Sequence, residues 1–224
     1  MSVKALKAWA RGHARQRRYS PVGITFHWTA AALVLFQLGW GLHTSRLPVG
    51  PDKLAAYDIH IQVGLAILLL TLLRMTWRLM VPGPVNDADK PGWRSTAAHL
   101  THYAFYACLV GLPLSGWAML SATATAQPLT FLGAPWPFLP FHDLDLATRW
   151  AVEAWAGWIH AAFILALCAL IPVHAGAALH HHFVHHHDVL EGMVPGITAL
   201  EETMRQDPPR RPKPRRSRKA SAAG

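Results

Sequence analysis

Residues 157–188 read GWIHAAFILALCALIPVHAGAALHHHFVHHHD. The first half is as apolar as a membrane span, yet the stretch holds eight of the chain's fifteen histidines. Ionisable side chains inside a bilayer are costly and normally face the bundle interior, where they mark a function. His160 and His174 both lie in the apolar run, fourteen residues apart. At 100° per residue that separation returns to within about 40° of one helix face, and at 1.5 Å rise it covers about 21 Å. One face of one helix therefore offers two imidazoles at two depths.

Composition agrees with a membrane setting. The chain has 224 residues, a mean hydropathy of +0.18 and only 15% charged residues, against about a quarter in soluble domains. Ten tryptophans and seventeen prolines fit a helical membrane protein with aromatic interfacial belts. Cys108 and Cys168 sit in apolar runs and read as small hydrophobes, not as a disulfide framework. No C-x-x-C-H is present, which argues against covalently attached c-type haem.

A hydrocarbon core of about 30 Å needs roughly 20 helical residues. Four segments qualify, at about 22–43, 57–80, 97–120 and 151–180, separated by connectors bearing proline and glycine. Pro113 and Pro172 fall inside spans, where neighbouring helices can satisfy the freed carbonyls. Gly39, Gly41 and Gly64 allow close approach of helices or of a flat, bulky group. The fold expected is an all-α, integral-membrane four-helix bundle.

The formal charge of +9 is concentrated in two flanks. Lys4, Lys7, Arg11, Arg15, Arg17 and Arg18 precede the first span; Arg205, Arg210, Arg211, Lys213, Arg215, Arg216, Arg218 and Lys219 follow the last. This is the positive-inside pattern, which places both termini in the cytoplasm and requires an even number of spans. Nucleic-acid binding is set aside, because the spans explain the charge placement. The first apolar run lacks a small-residue cleavage site and carries His27, so it reads as a span and not a signal peptide. The organisation expected is a basic segment over 1–20, the four-helix domain over 21–196, and a basic, proline-rich, disordered tail over 197–224.

Topology sorts the histidines by depth. His27 and His174 fall near the cytoplasmic face, and His60 and His160 near the outer face, each pair drawn from two helices. Opposed imidazoles in an apolar bundle suit axial ligation of b-type haem. Zinc is the competing metal, but it takes about four N, S or O ligands, and each depth offers two clear histidines. An interhelical hydrogen bond explains a single intramembrane histidine; it does not explain two cross-helix pairs at matched depth.

Several stretches carry a family resemblance: RYSPVGITFHW, YDIHIQVG, AHLTHYAFY, LPLSGWAMLSA, FLGAPWPFLP and IHAAFILALCALIPVHAGAALHHHFVHHHDVLEGMVP. Together they resemble the bacterial cytochrome b561 family over roughly residues 18–197. The resemblance implies a bacterial inner-membrane cytochrome with two haem b groups, held by His27, His60, His160 and His174. It also implies electron exchange with quinone, such as ubiquinone, and with a further redox partner or larger complex. His102 is then expected near a quinone or a haem propionate, in preference to His99. Arg74 and Arg78 end the second span; they read either as snorkelling side chains or as contacts to propionates or a quinone headgroup. The dense run HHHFVHHH departs from the family pattern and reads as interfacial, with surface metal binding as the alternative.

Three roles stay open at this point: a superoxide oxidase delivering electrons to ubiquinone, a haem-bearing anchor of a dehydrogenase or hydrogenase, and a free-standing cytochrome. A haem-free membrane metal-binding protein is the non-redox alternative. The outer loops carry Arg46, Lys53 and Arg149 against Asp52, Asp58, Asp143, Asp145 and Glu153. Three cations against five anions leave −2, which is no evident funnel for a superoxide anion.

Overall fold

The computed structural model describes residues 19–81, 92–123, 129–141, 143–185 and 193–194. The expectations for the N-terminal basic segment up to residue 18 and for the tail over 197–224 lie outside the described residues. Four helices carry the fold: α1 (Pro21–Arg46), α2 (Pro51–Met80), α3 (Trp93–Ala122) and α4 (Leu146–His185). All four are long and apolar enough to cross a membrane.

Each helix overruns the span expected from hydropathy. Helix α2 starts six residues early, and α4 reaches from Leu146 into the histidine run at His185. Hydropathy marks where the chain is greasy, whereas backbone hydrogen bonding continues until a cap or a proline stops it. Ser20 caps α1, its hydroxyl accepting from Gly23 N at 3.2 Å with Pro21 at the first helical position. Asp145 does the same for α4, accepting from Thr148 N at 3.0 Å and from the Thr148 hydroxyl at 2.6 Å. Those hydrogen bonds hold the Asp145 carboxyl below the ordinary carboxylate range.

The helices run up and down, and the closest backbone packing joins α3 to α4, then α1 to α2 and α2 to α3. A core cluster of Val34, Ile67, Cys108, Leu109 and Leu167 draws on all four helices. Elsewhere apolar side chains face outward: Leu35, Leu73, Leu165 and Val173 are all more than half exposed. Only 6% of the most apolar stretch of α4 is buried, the inside-out pattern of a helix bathed in lipid. On α4 the covered positions include Ala156, His160, Phe163, Leu167, Leu170, His174 and Ala178, steps of three and four that trace one helical stripe. His160 and His174 share it.

The long connector between α3 and α4 holds a hairpin unforeseen in the sequence. Strands β1 (Thr130–Phe131) and β2 (Ala134–Pro135) pair antiparallel, Thr130 opposite Pro135 and Phe131 opposite Ala134. The two turn residues, Leu132 and Gly133, have φ of 51° and 79°, the left-handed conformations of a tight hairpin turn. Gln62 on α2 grips this turn from both sides. Its amide donates to Thr130 O at 2.7 Å, and its carbonyl accepts from Leu132 N at 3.0 Å. The hairpin end of the bundle is therefore tied to α2 two residues from His60.

Candidate functional site

The inward faces repeat at intervals of seven residues. They carry His27, Val34 and Gly41 on α1, His60, Ile67 and Arg74 on α2, His102, Leu109 and Gly116 on α3, and His160, Leu167 and His174 on α4. Up-and-down packing stacks these positions into three layers. His27, Arg74, His102 and His174 meet at the end of the bundle where α1 begins and α4 ends. Val34, Ile67, Leu109 and Leu167 form an apolar middle. Gly41, His60, Gly116 and His160 form the layer toward the hairpin.

In the hairpin-end layer the rings of His60 and His160 are centred 6.4 Å apart at 60°. His160 Nδ1 lies 3.0 Å from Leu112 O and 3.0 Å from the Ser115 hydroxyl. A carbonyl only accepts, so Nδ1 carries the proton and Nε2 keeps its lone pair. Such second contacts are what fix the tautomer and orientation of a metal-binding imidazole. His60 Nδ1 is buried and without a hydrogen-bond partner among the described residues. The two glycines matter for space: a Cβ on Gly41 would stand 3.1 Å from His60 Cε1, and one on Gly116 would stand 3.5 Å from His160 Cε1.

In the terminal-end layer His27 and His174 are centred 6.3 Å apart at 61°. His102 approaches His174 from the side at 5.8 Å, and Phe105 does so at 5.2 Å. Arg74 Nη2 stands 3.2 Å from His27 Nδ1, and its guanidinium lies 5.9 Å from the centre of the Tyr106 ring. No carboxylate among the described residues pairs with it. A guanidinium only donates, so His27 Nδ1 accepts here and the ring proton sits on Nε2. Binding a metal through Nε2 would shift that proton to Nδ1 and release the guanidinium to another acceptor.

Both separations suit a shared metal. With metal–nitrogen bonds of about 2.0–2.1 Å and ring centres about 1.1 Å behind the nitrogen, two imidazoles opposed across one ion are centred roughly 6.2–6.4 Å apart. Helix α4 meets α1 and α2 mainly through these side chains and little through its backbone. The residues thus fit a flat group bound between two histidines at each end. Among the described residues no three His, Cys, Asp or Glu side chains converge on one point, as a zinc site requires.

Other candidates separate clearly. His99 turns back onto its own helix, its Nδ1 2.8 Å from Ser95 O, while His102 joins the layer. Arg78 is exposed and stacks over Tyr19 at 5.5 Å. Of the histidine run, residues 180–185 extend α4 beyond His174, and His186 and His187 lie outside the described residues. Sequence reasoning missed Ser115, Leu112 O, Gln37 and Gln62. Pro113 does not mark the first two, because the carbonyl left free by its missing N–H is that of Leu109, not of Leu112. Gln37 donates to His60 O at 2.7 Å, and nothing local in its sequence marks it.

A family model described as prokaryotic cytochrome b561 matches residues 18–196. The chain belongs to the prokaryotic cytochrome b561 family. It is a membrane cytochrome, and membership implies haem b as its cofactor. Cytochrome b561 homolog 2 of Escherichia coli (strain K12) is 29% identical over 180 residues, covering 79% of this chain and 91% of that one. The Probable superoxide oxidase CybB of Yersinia pestis is 28% identical over 181 residues, covering 80% and 97%. Cytochrome b562 of Cereibacter sphaeroides is 29% identical over 172 residues, covering 74% and 88%. The matched span encloses all three layers of this b561 cytochrome.

Proposed function

We propose that this b561 cytochrome carries electrons across the bilayer through two haem b groups and exchanges them with the quinone pool on one side. His27 and His174 would hold one haem, His60 and His160 the other. The observation that carries this reading is the pair of matched histidine separations, 6.3 and 6.4 Å, on either side of one apolar layer. When bound, haem b would supply a one-electron iron centre at each level, and with both histidines of a pair engaged on it direct substrate binding at the metal would be disfavoured.

The chain's own residues do the rest. The Leu112 carbonyl and Ser115 hold His160 in the tautomer that leaves Nε2 free. Val34, Ile67, Leu109 and Leu167 exclude water between the two levels. His102, Arg74 and Arg78 are assigned to propionate or quinone-headgroup contacts, since they stand at one end without a carboxylate among the described residues. The basic flanks support a cytoplasmic orientation for that end in a bacterial inner membrane.

The relative named as a superoxide oxidase supports a second reading, superoxide as donor and ubiquinone as acceptor. The net −2 of the hairpin end, whose charged residues lie mostly on helix ends, counts against it. An anchor role in a larger dehydrogenase or hydrogenase would use the same two centres. The test is haem stoichiometry with a reduced-minus-oxidised spectrum of the detergent-purified protein. Two b-type haems per chain are expected, with one lost in His160→Ala and the other in His174→Ala. One haem, or loss of both in either folded variant, overturns the assignment. Stopped-flow superoxide consumption with ubiquinone separates oxidase from relay.

A further inference from the structure

The two histidine layers are alike in spacing and unlike in charge. Where the terminal-end layer has Arg74 and His102, the equivalent heptad positions at the other end are Gly41 and Gly116. Arg74 is half-buried, 3.2 Å from His27, with no carboxylate paired to it among the described residues. Arg78 adds a second positive charge one turn on. The charges flanking the hairpin-end layer are of both signs: Asp58 two residues before His60, Lys53 seven before it, Arg46 five after Gly41 and Glu153 seven before His160. Arg149 stands eleven residues from His160, about 16 Å along the helix, and its guanidinium is spent on the Ala122 and Thr123 carbonyls at 3.0 and 2.9 Å.

We propose that Arg74 sets the direction of electron flow, by making the terminal-end centre the stronger electron acceptor. The inference rests on the two-haem reading above. Adding an electron to a centre adds negative charge, and a nearby cation stabilises that charge, more strongly in a low-dielectric interior than in water. The charges of both signs that flank the other centre offset one another, and none occupies a layer position as Arg74 does. One electron then passes from the hairpin-end centre, which is oxidised, to the terminal-end centre, which is reduced, and neither proton nor bond is exchanged. The sign survives if a carboxylate-bearing group pairs with Arg74, because losing the arginine would then leave that carboxylate unneutralised.

The test is a redox titration of the haem-loaded protein, the two midpoints being assigned with His160→Ala and His174→Ala. In the native protein the terminal-end midpoint should be the higher. Arg74→Gln should lower it by at least a tenfold shift in electron sharing, about 59 mV for a one-electron couple, and leave the other midpoint in place. Arg74→Lys should keep most of the native value, and Arg78→Gln should produce a smaller shift of the same sign. A native order that is equal or reversed overturns the proposal. So does an Arg74→Gln shift common to both centres, or one matched by Arg74→Lys. A preparation holding fewer than two haems fails the two-haem reading instead, so the two failures are told apart before any potential is measured.

Discussion

His160 Nδ1 lies 3.0 Å from the carbonyl oxygen of Leu112, one residue before the proline inside α3. The same carbonyl accepts the Ser115 hydroxyl at 2.9 Å, and that hydroxyl also lies 3.0 Å from His160 Nδ1. One turn of α3 thus orients an imidazole on α4, and orientation of the ring is what a ligand at a fixed site needs.

Ser115→Ala tests that turn. Ser115 is buried, and its hydroxyl also lies 2.7 Å from Gly111 O, so its loss should cost about 0.5–1.5 kcal/mol of stability. The Leu112 bond survives, so His160 should still bind. The expected result is two haems, with the low-spin electron-paramagnetic-resonance signal of the hairpin-end centre alone shifted or broadened. Equal changes in both signals would show that Ser115 acts through general packing.

Gly41→Val tests the room beside His60. A Cβ there already stands 3.1 Å from His60 Cε1, so a branched side chain must push the ring aside. Overpacking of this kind costs about 1–3 kcal/mol. Haem content should fall toward one per chain, the hairpin-end haem being lost and the terminal-end spectrum kept. Gly39→Val is the control, because a Cβ at Gly39 meets nothing within 4 Å; its haem content should match the native protein.

The parts of this architecture that were legible in the sequence are those encoded within one segment. Span number followed from hydropathy length, and the shared face of His160 and His174 followed from their spacing. Both depend on helix geometry alone. The three-layer heptad pattern was also printed there, as His160–Leu167–His174 and His60–Ile67–Arg74, but it gains meaning only when four helices are set in register. Ser115, Gln37 and Gln62 were not legible because each acts on another element: a polar side chain in a span looks the same whether it meets lipid, backbone or a loop. The hairpin was hidden for a related reason. Its turn is Leu132–Gly133, without the Asn-Gly or Asp-Gly that marks such turns, and it is held by Gln62, some seventy residues earlier.

That grip is the basis of the last prediction. Leu132 holds a positive φ without being glycine, a conformation that costs roughly 1–2 kcal/mol. The two hydrogen bonds from Gln62 offset it, one on each side of the turn. Gln62→Ala removes both and leaves Leu132 N without its acceptor. Amide hydrogen exchange over residues 129–135 should then quicken at least tenfold, while exchange in the middle of α2 and α4 stays slow. Pairing Gln62→Ala with Leu132→Gly separates the two causes: glycine relieves the backbone strain but restores neither hydrogen bond. If the grip holds the hairpin, exchange in the double variant should stay fast. If strain alone drives the opening, it should return to the native rate, and the role of Gln62 would be confined to offsetting the Leu132 conformation.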